Sequence, residues 1–325
     1  MARVRLGMIG CGGIARWHMT NLAKIPEAEI VALAEPSEAQ IDQCRRQFPH
    51  LADVPVFADY REMLAKVELD AVEISTPHDQ HFAQLIDSFA AGKHVFVEKP
   101  FVGTPEEAAE SIAARDRSGK VGLLAYQRHT QAEFRWIRAK IQSGEYGRVQ
   151  GVSALLGQEW KRFTDGSWRQ DPKQSGGGML NDSGSHILDV LHWCTGLEPE
   201  TVAAFGNERG APVDINSAIT VRFKGGALGT VTIMGDAPNW HEDLTIWLDK
   251  GAFYLRQGKL TIVEEDGSRI LAEEIRGGSN PNANFINAIL GKEEVQSPFE
   301  AALPVLKLTA AVYRSQAQNG APVAV

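Results

Sequence analysis

Val4-Arg5-Leu6-Gly7-Met8-Ile9-Gly10-Cys11-Gly12-Gly13-Ile14-Ala15 decides the fold. Val4 to Ile9 is a short β-branched and aliphatic run, the signal of a strand. Gly10, Gly12 and Ala15 fit G-x-G-x-x-G/A, and Ile14 to Ile25 suits a helix that Pro26 ends. Gly10 permits the tight turn, Gly12 lets the backbone approach a pyrophosphate, and Ala15 lets helix and strand pack closely. The free N–H groups and positive dipole end of the helix then face the phosphates. A lone glycine fingerprint is weak. Here a second strand-like run, Glu29 to Ala34, delivers Glu35 roughly 20 residues on, where a dinucleotide fingerprint needs its acid. A carboxylate there accepts both ribose hydroxyls and repels a 2′-phosphate. Pro36 and Ser37 follow with no Arg, which favours NAD over NADP. The competing reading is a Gly-rich turn beside a surface Glu, and it has four agreeing features of context against it.

Working outward, the alternation continues. Glu38 to Phe48 is helix-like, Ala71 to Ser75 strand-like, Phe82 to Ala91 amphipathic, and His94 to Val97 strand-like. Pro105 to Ser118 has Thr104 as N-cap, Pro at the first helical position and Glu106 and Glu107 in the first turn. Val121 to Tyr126 is another apolar run. Continuously apolar strands alternating with helices imply a parallel sheet covered on both faces. Farther on, Val149–Leu156, Thr201–Phe205, Ala218–Phe223, Ala227–Ile233, Leu244–Leu248 and Leu260–Val263 are strand-like. Lys224-Gly225-Gly226, Asp249-Lys250-Gly251 and Asp266-Gly267 are turn signals that favour antiparallel pairing. Helical patterns lie at Ile187–Cys194, Asn284–Leu290 and Phe299–Ser315. The expected fold is α/β. A Rossmann-type doubly wound parallel sheet spans residues 1–124. An α+β domain with a large, mainly antiparallel open sheet spans 125–325, for substrate binding and oligomerisation.

Composition narrows the class. The chain has 325 residues, 43% hydrophobic and 23% charged, which excludes a mostly disordered protein. Net charge is −8 without a basic run, so nucleic acid is not an expected partner. The three cysteines, Cys11, Cys44 and Cys194, are far apart and lack CxxC spacing. That argues against a disulfide scaffold or a cysteine metal site and for a reducing compartment. Neither a signal peptide nor an apolar run of about 20 residues is found, so the expected location is cytoplasmic and no membrane partner is expected.

A second set of motifs is more specific. Residues 70–81 read Asp-Ala-Val-Glu-Ile-Ser-Thr-Pro-His-Asp-Gln-His, and Ala91-Gly92-Lys93-His94-Val95 is followed by Glu98-Lys99-Pro100. Trp168-Arg169 and Gly178…Asp182-Ser183-Gly184-Ser185-His186…Asp189 follow later. Over essentially the whole chain this resembles the glucose-fructose oxidoreductase / inositol dehydrogenase (Gfo/Idh/MocA) family of NAD(P)-dependent sugar dehydrogenases. The departure at the third fingerprint position, Ala15 for Gly, is one the family tolerates.

Thr76 and Pro77 end a strand at its carboxyl edge, where open α/β sheets bind ligands. His78 and His81 follow, and for His81 a structural hydrogen bond and a cofactor contact stand level. Lys99 ends the next strand beside Glu98. Composition alone favours a solvated lysine paired with Glu98; the resemblance implies a donor to the substrate hydroxyl or nicotinamide ribose. Asp182 and His186 are four apart, on one face if helical. A histidine is the usual base for a hydroxyl proton, and Asp189 is a candidate partner. Spacing alone leaves an N-cap Asp and a core His equally open; the resemblance assigns Asp182 and His186 to the catalytic site with Lys99. Gly176-Gly177-Gly178 is either a flexible loop or a close approach of backbone to cofactor. Trp160 is read either as a sugar platform or as a core residue, and Cys11 as packing.

The expected catalytic set is therefore Lys99, Asp182 and His186. Cofactor contacts are expected from Ile9, Gly10, Cys11, Gly12, Gly13, Ile14, Ala15, Glu35, Ser75, Thr76, Pro77, His78, His81, Glu98, Lys99 and Gln127. Substrate contacts are expected from Lys99, Arg128, Trp168, Arg169, Asp182 and His186, with no metal. The implied function is NAD-dependent oxidation of a secondary alcohol of a sugar, inositol or polyol, by a homodimer or homotetramer. A glycoside-cleaving enzyme or sugar–sugar transhydrogenase that retains NAD, and a non-catalytic NAD sensor, are the alternatives.

Overall fold

The computed structural model describes residues 3–272 and 275–325. It divides into two compact units, Met1–Thr130 with Ser279–Glu300, and Gln131–Gly278 with Ala301–Val325.

The first unit runs β1 (Val4–Ile9), α1 (Gly13–Leu22), β2 (Ala28–Ala34), α2 (Glu38–Gln47), β3 (Val56–Phe57), α3 (Tyr60–Lys66), β4 (Ala71–Ile74), α4 (His81–Ala90), β5 (His94–Val97), α5 (Pro105–Ser118) and β6 (Gly122–Leu124). Its six strands are ordered β3-β2-β1-β4-β5-β6, with every pair parallel. Strand order reverses between β1 and β4, which opens a crevice at the carboxyl ends of those strands. All four β4 residues are buried, as expected of a strand with helices on both faces. The Thr104 side chain caps α5 by accepting from Glu107 N–H, and Gly119 ends the helix in the left-handed region. β6 is shorter than the sequence suggests. It stops at Leu124, and Gln127 and Arg128 lie in a 3₁₀ turn, Gln127–Thr130, beyond it.

The second unit begins with α6 (Ala132–Ser143), β7 (Val149–Gly157), α7 (Trp160–Phe163), α8 (Pro172–Ser175) and α9 (Gly184–Thr195). It continues with β8 (Pro199–Asn207), β9 (Asn216–Phe223), β10 (Leu228–Met234), β11 (His241–Leu248), β12 (Gly251–Arg256), β13 (Lys259–Val263) and β14 (Arg269–Leu271). The chain then returns to the first unit as α10 (Pro281–Ile289) before α11 (Ala302–Ala317) and β15 (Val323–Ala324) finish the second. The return has a simple cause. Phe285 and Ile286 of α10 bury in the same core as Leu6, Met8 and Phe96, so a single cut at residue 124 does not follow the packing.

The nine-stranded sheet is ordered β14-β13-β12-β11-β7-β10-β9-β8-β15. It is mainly antiparallel, with β7 and β10 a parallel pair. Residues alternate between faces: Ile219, Val221 and Phe223 are buried, while Ala218, Thr220 and Arg222 are exposed. α9 packs on β7 and α11 on β8. The strand β12 is not apparent from sequence. It is made by two tight hairpins, one at Asp249-Lys250 and one at Gln257-Gly258, whose residues both have positive φ.

Candidate active site

The nucleotide side is built on the β1 and β4 ends. Gly10 has φ +94°, and a Cβ on it would lie 2.7 Å from the Ser75 carbonyl oxygen. Only glycine lets the turn after β1 press against the end of β4. Gly12 and Gly13, by contrast, have open space where a Cβ would stand. α1 begins there, and the N–H groups of its first turn have no partner within the helix. This open backbone at a helix N-terminus fits the phosphates of a dinucleotide. Cys11 and Ala15 are fully buried, consistent with packing. The Glu35 carboxylate accepts from Cys11 N–H at 2.8 Å and from Ser37 N–H at 3.0 Å. A residue missed in the sequence stands beside it: Arg16 of α1 donates to the Cys11 carbonyl and to Gln40 Oε1, both at 2.8 Å. The sequence pattern around Glu35 does not point to it, because the arginine lies on the first helix and not after Glu35.

His81 is buried, with Nδ1 2.9 Å from the Pro100 carbonyl oxygen and Nε2 3.1 Å from that of Thr76. It ties the end of β4 to the segment after β5, which is the structural one of its two readings. Burial pushes its pKa down, against the carbonyl contacts that favour the protonated ring. Thr76 Oγ1 donates to Gln84 at 2.6 Å, and His78 is buried on the same turn. Arg128 is buried, with only 3% exposed.

Lys99 is half-buried just past β5. The Glu98 carboxylate engages the backbone of Lys99: its Oε2 accepts from Lys99 N–H at 3.0 Å. Its Oε1 lies 2.7 Å from His18 Nε2. Asn282 Oδ1 accepts from His18 Nδ1 at 2.9 Å, and Asn282 Nδ2 donates to Glu73 at 3.0 Å. Burial opposes the charge on His18, but Glu73 and the Glu98 hydrogen bond outweigh it and raise its pKa to about 9. Burial raises Glu73 to about 7. Burial also opposes the Glu98 charge, yet the His18 hydrogen bond holds that carboxyl below the usual range.

These shifts have a sign in stability. The fold binds the His18 proton more tightly than the unfolded chain does. That contribution is complete below pH 6.5 and is lost as pH rises toward about 9. Glu73 acts in the same direction lower down, complete below pH 4.5 and lost through about pH 7. Urea unfolding is expected to show stability falling by on the order of 2 kcal/mol between pH 6.5 and 9, with His18→Gln flattening the slope. A wild-type stability that rises over that range would contradict the assignment.

In the second unit, Asp182 is 3% exposed and accepts on Oδ2 from Trp160 Nε1 at 2.8 Å and from Arg169 Nε at 3.1 Å. Trp160 is therefore a buried core residue and not a sugar platform. The Arg169 guanidinium also sits 4.3 Å from the centre of the Trp168 ring. α9 starts at Gly184, so Asp182 lies in the turn before it, with its N–H on the Gly178 carbonyl. The expected shared helix face is thus replaced by a turn leading into a helix. His186 is half-buried in the first turn of α9, and Asp189 is buried one turn on.

Gly178 does make a close approach, to protein backbone: a Cβ there would overlap the Asp214 carbonyl oxygen. The Asp214 carboxylate accepts from Gly178 N–H at 2.7 Å, Leu180 N–H at 2.9 Å and Tyr313 Oη at 2.7 Å. Asp214 and Tyr313 thus shape the turn that carries Asp182. Neither lies in a recognisable motif, so the sequence holds no signal for them.

Residues 4–126 match the model of an oxidoreductase family with an NAD-binding Rossmann fold, and residues 134–254 match the GFO/IDH/MocA C-terminal domain. The chain belongs to the GFO/IDH/MocA family. It is 24% identical to the scyllo-inositol 2-dehydrogenase (NAD(+)) of Bacillus subtilis, over 93% of this chain and 96% of that one. It is 27% identical to an uncharacterised oxidoreductase of the same organism, over 69% of this chain, and the match spans 65% of that protein. In three dimensions it resembles levoglucosan dehydrogenase in complex with NADH and L-sorbose, with TM-score 0.88, 21% identity and coverage of 100% and 99%. At that identity the likeness shows the GFO/IDH/MocA fold. Among the described residues, no helix is long and apolar enough to cross a membrane.

Proposed function

We propose that this family member is an NAD-dependent oxidoreductase that oxidises a secondary alcohol of a sugar, inositol or related polyol, or runs the reverse reduction. The observation that carries the reading is the position of Lys99. It follows β5 at the carboxyl edge of the same sheet whose β1 and β4 ends meet at Gly10 and Ser75. The nicotinamide, when bound, supplies the hydride acceptor. Lys99 donates from Nζ to the alcohol oxygen and holds it in place. His186 takes the hydroxyl proton and returns it in the reverse direction. Trp160 and Arg169 fix the Asp182 carboxylate, which stabilises the His186 imidazolium. Glu35 accepts from ribose hydroxyls and repels a 2′-phosphate, a role supported by the two backbone N–H groups that anchor its carboxylate.

The test is a panel of sugars and inositols with NAD and NADP side by side, read as NADH or NADPH absorbance. At least one polyol is expected to produce NADH, with NADP far less effective. Bond cleavage without net NADH would favour the glycoside-cleaving alternative, and cofactor retained through dialysis the transhydrogenase. A flat panel from a protein that binds NADH, with neither bond cleavage nor retained cofactor, would contradict the dehydrogenase reading and favour the non-catalytic NAD sensor. We also read the outer face of the large sheet, where Leu228 and Trp247 are exposed, as a self-association surface of a homodimer or homotetramer. A monomeric mass in solution would contradict that reading.

A further inference from the structure

His18 lies on α1, the helix that follows the phosphate turn, and is 1% exposed. Both of its ring nitrogens face oxygens, Glu98 Oε1 at 2.7 Å and Asn282 Oδ1 at 2.9 Å, so the doubly protonated ring satisfies both. Its faces and edges are packed, with the Trp17 and Phe96 rings each 4.9 Å away. Asn282 comes from α10, the helix that returns to this unit, and its amide N–H binds Glu73 of β4. Burying two carboxylates and an imidazole is costly, and apolar side chains of similar volume would fill such a space at least as stably. Beyond its pH-dependent stability, the cluster contributes geometry.

That geometry has one outlet. The Glu98 N–H is still part of the sheet ladder, bonded to the Ile74 carbonyl at 2.9 Å. The next donor along the chain, Lys99 N–H, is bound instead by the Glu98 side chain at 3.0 Å. Lys99 is therefore the first residue past the ladder, and its backbone is held by a carboxylate that is itself held by His18. An error in the backbone here is magnified along the four-carbon stem of the lysine.

We propose that His18 and Asn282 are positioning residues for Lys99, acting through Glu98. The inference rests on the reading above that Lys99 contacts the alcohol. His18 fixes one oxygen of Glu98, Glu98 fixes the Lys99 main chain with the other, and Asn282 fixes the rotation of the His18 ring. None of the three touches the reacting atoms.

The test uses the full-length protein with Lys99→Met, His18→Leu, Glu98→Ala and Glu98→Gln. Four quantities are measured: kcat and KM on the best polyol of the panel, the NADH dissociation constant, the melting temperature, and the rate at which an acylating reagent modifies the Lys99 amine. His18→Leu and Glu98→Ala are expected to lower kcat about 100-fold, with NADH affinity within about threefold. In Glu98→Gln the amide oxygen still accepts from Lys99 N–H, and the amide N–H donates to a neutral His18. That variant is expected to keep kcat within about tenfold. The Lys99 acylation rate is expected to change severalfold in His18→Leu and Glu98→Ala and not in Glu98→Gln.

Folded His18→Leu with wild-type kcat and acylation rate, beside an inactive Lys99→Met, would overturn the proposal. So would Glu98→Gln falling as far as Glu98→Ala. If Lys99→Met itself keeps full turnover, the catalytic reading has failed, and the acylation rates alone decide whether His18 positions Lys99. Should His18→Leu not fold, Asn282→Ala, which frees the ring while leaving it in place, takes its part with a smaller drop expected in the same direction.

Discussion

Lys99→Met is expected to lower kcat by about 10³-fold and to leave NADH affinity within about threefold. Methionine keeps the length and apolar stem of lysine and removes only the ammonium. The Glu98 carboxylate grips the Lys99 backbone, so the main chain past β5 stays where it is. The melting temperature is expected to be unchanged, which separates loss of chemistry from loss of fold. A donor aimed at the alcohol oxygen acts most strongly as charge builds there, so its removal shows in kcat more than in KM. Steady-state kinetics with NADH titration checks this. Near-normal turnover would remove Lys99 from the reacting site.

Gly178→Ala is expected to cost about 3 kcal/mol of stability or more, and to lower kcat in whatever folded protein remains. The added Cβ would overlap the Asp214 carbonyl oxygen and lie 2.7 Å from the Asp214 nitrogen. Both are backbone atoms, so no rotamer change relieves the clash. The turn must move, and with it the bonds from Gly178 and Leu180 N–H to the Asp214 carboxylate. The same turn leads to Asp182 and into α9, which carries His186. On the proposed reading, a structural fault there also displaces His186, the proton acceptor. Urea unfolding and kcat measured together check it; a variant with a wild-type midpoint and wild-type kcat would contradict the close-packed turn.

The parallel sheet was legible because each of its signals is local. The run Val4 to Ile9, the glycines after it and Glu35 at the end of β2 lie within one βαβ unit, and hydrophobic periodicity marks the strands that follow. The phosphate turn was legible for the same reason: a steric demand for glycine at Gly10 is written in the residue itself. What could not be read depends on residues distant in sequence. His18 meets Asn282 only because α10 returns to the first unit. Asp182 meets Trp160 and Arg169, and Asp214 meets Gly178, through the folding of the second unit. Spacing of four between Asp182 and His186 left a shared helix face open; α9 starts only at Gly184, and the Asp214 contacts shape a turn before it. Trp160 illustrates the ambiguity of aromatics, since a buried indole that needs a partner for its N–H and an exposed sugar platform leave the same letter in the sequence.

The most direct measurement is a crystal structure of the protein with NADH and the polyol that the panel selects. Lys99 Nζ and a ring nitrogen of His186 are expected to lie within about 3 Å of one substrate oxygen, with the carbon bearing it facing the nicotinamide. Finding the lysine directed at the cofactor while the histidine and Asp182 face some other cavity, with no shared atom between them, would contradict that arrangement.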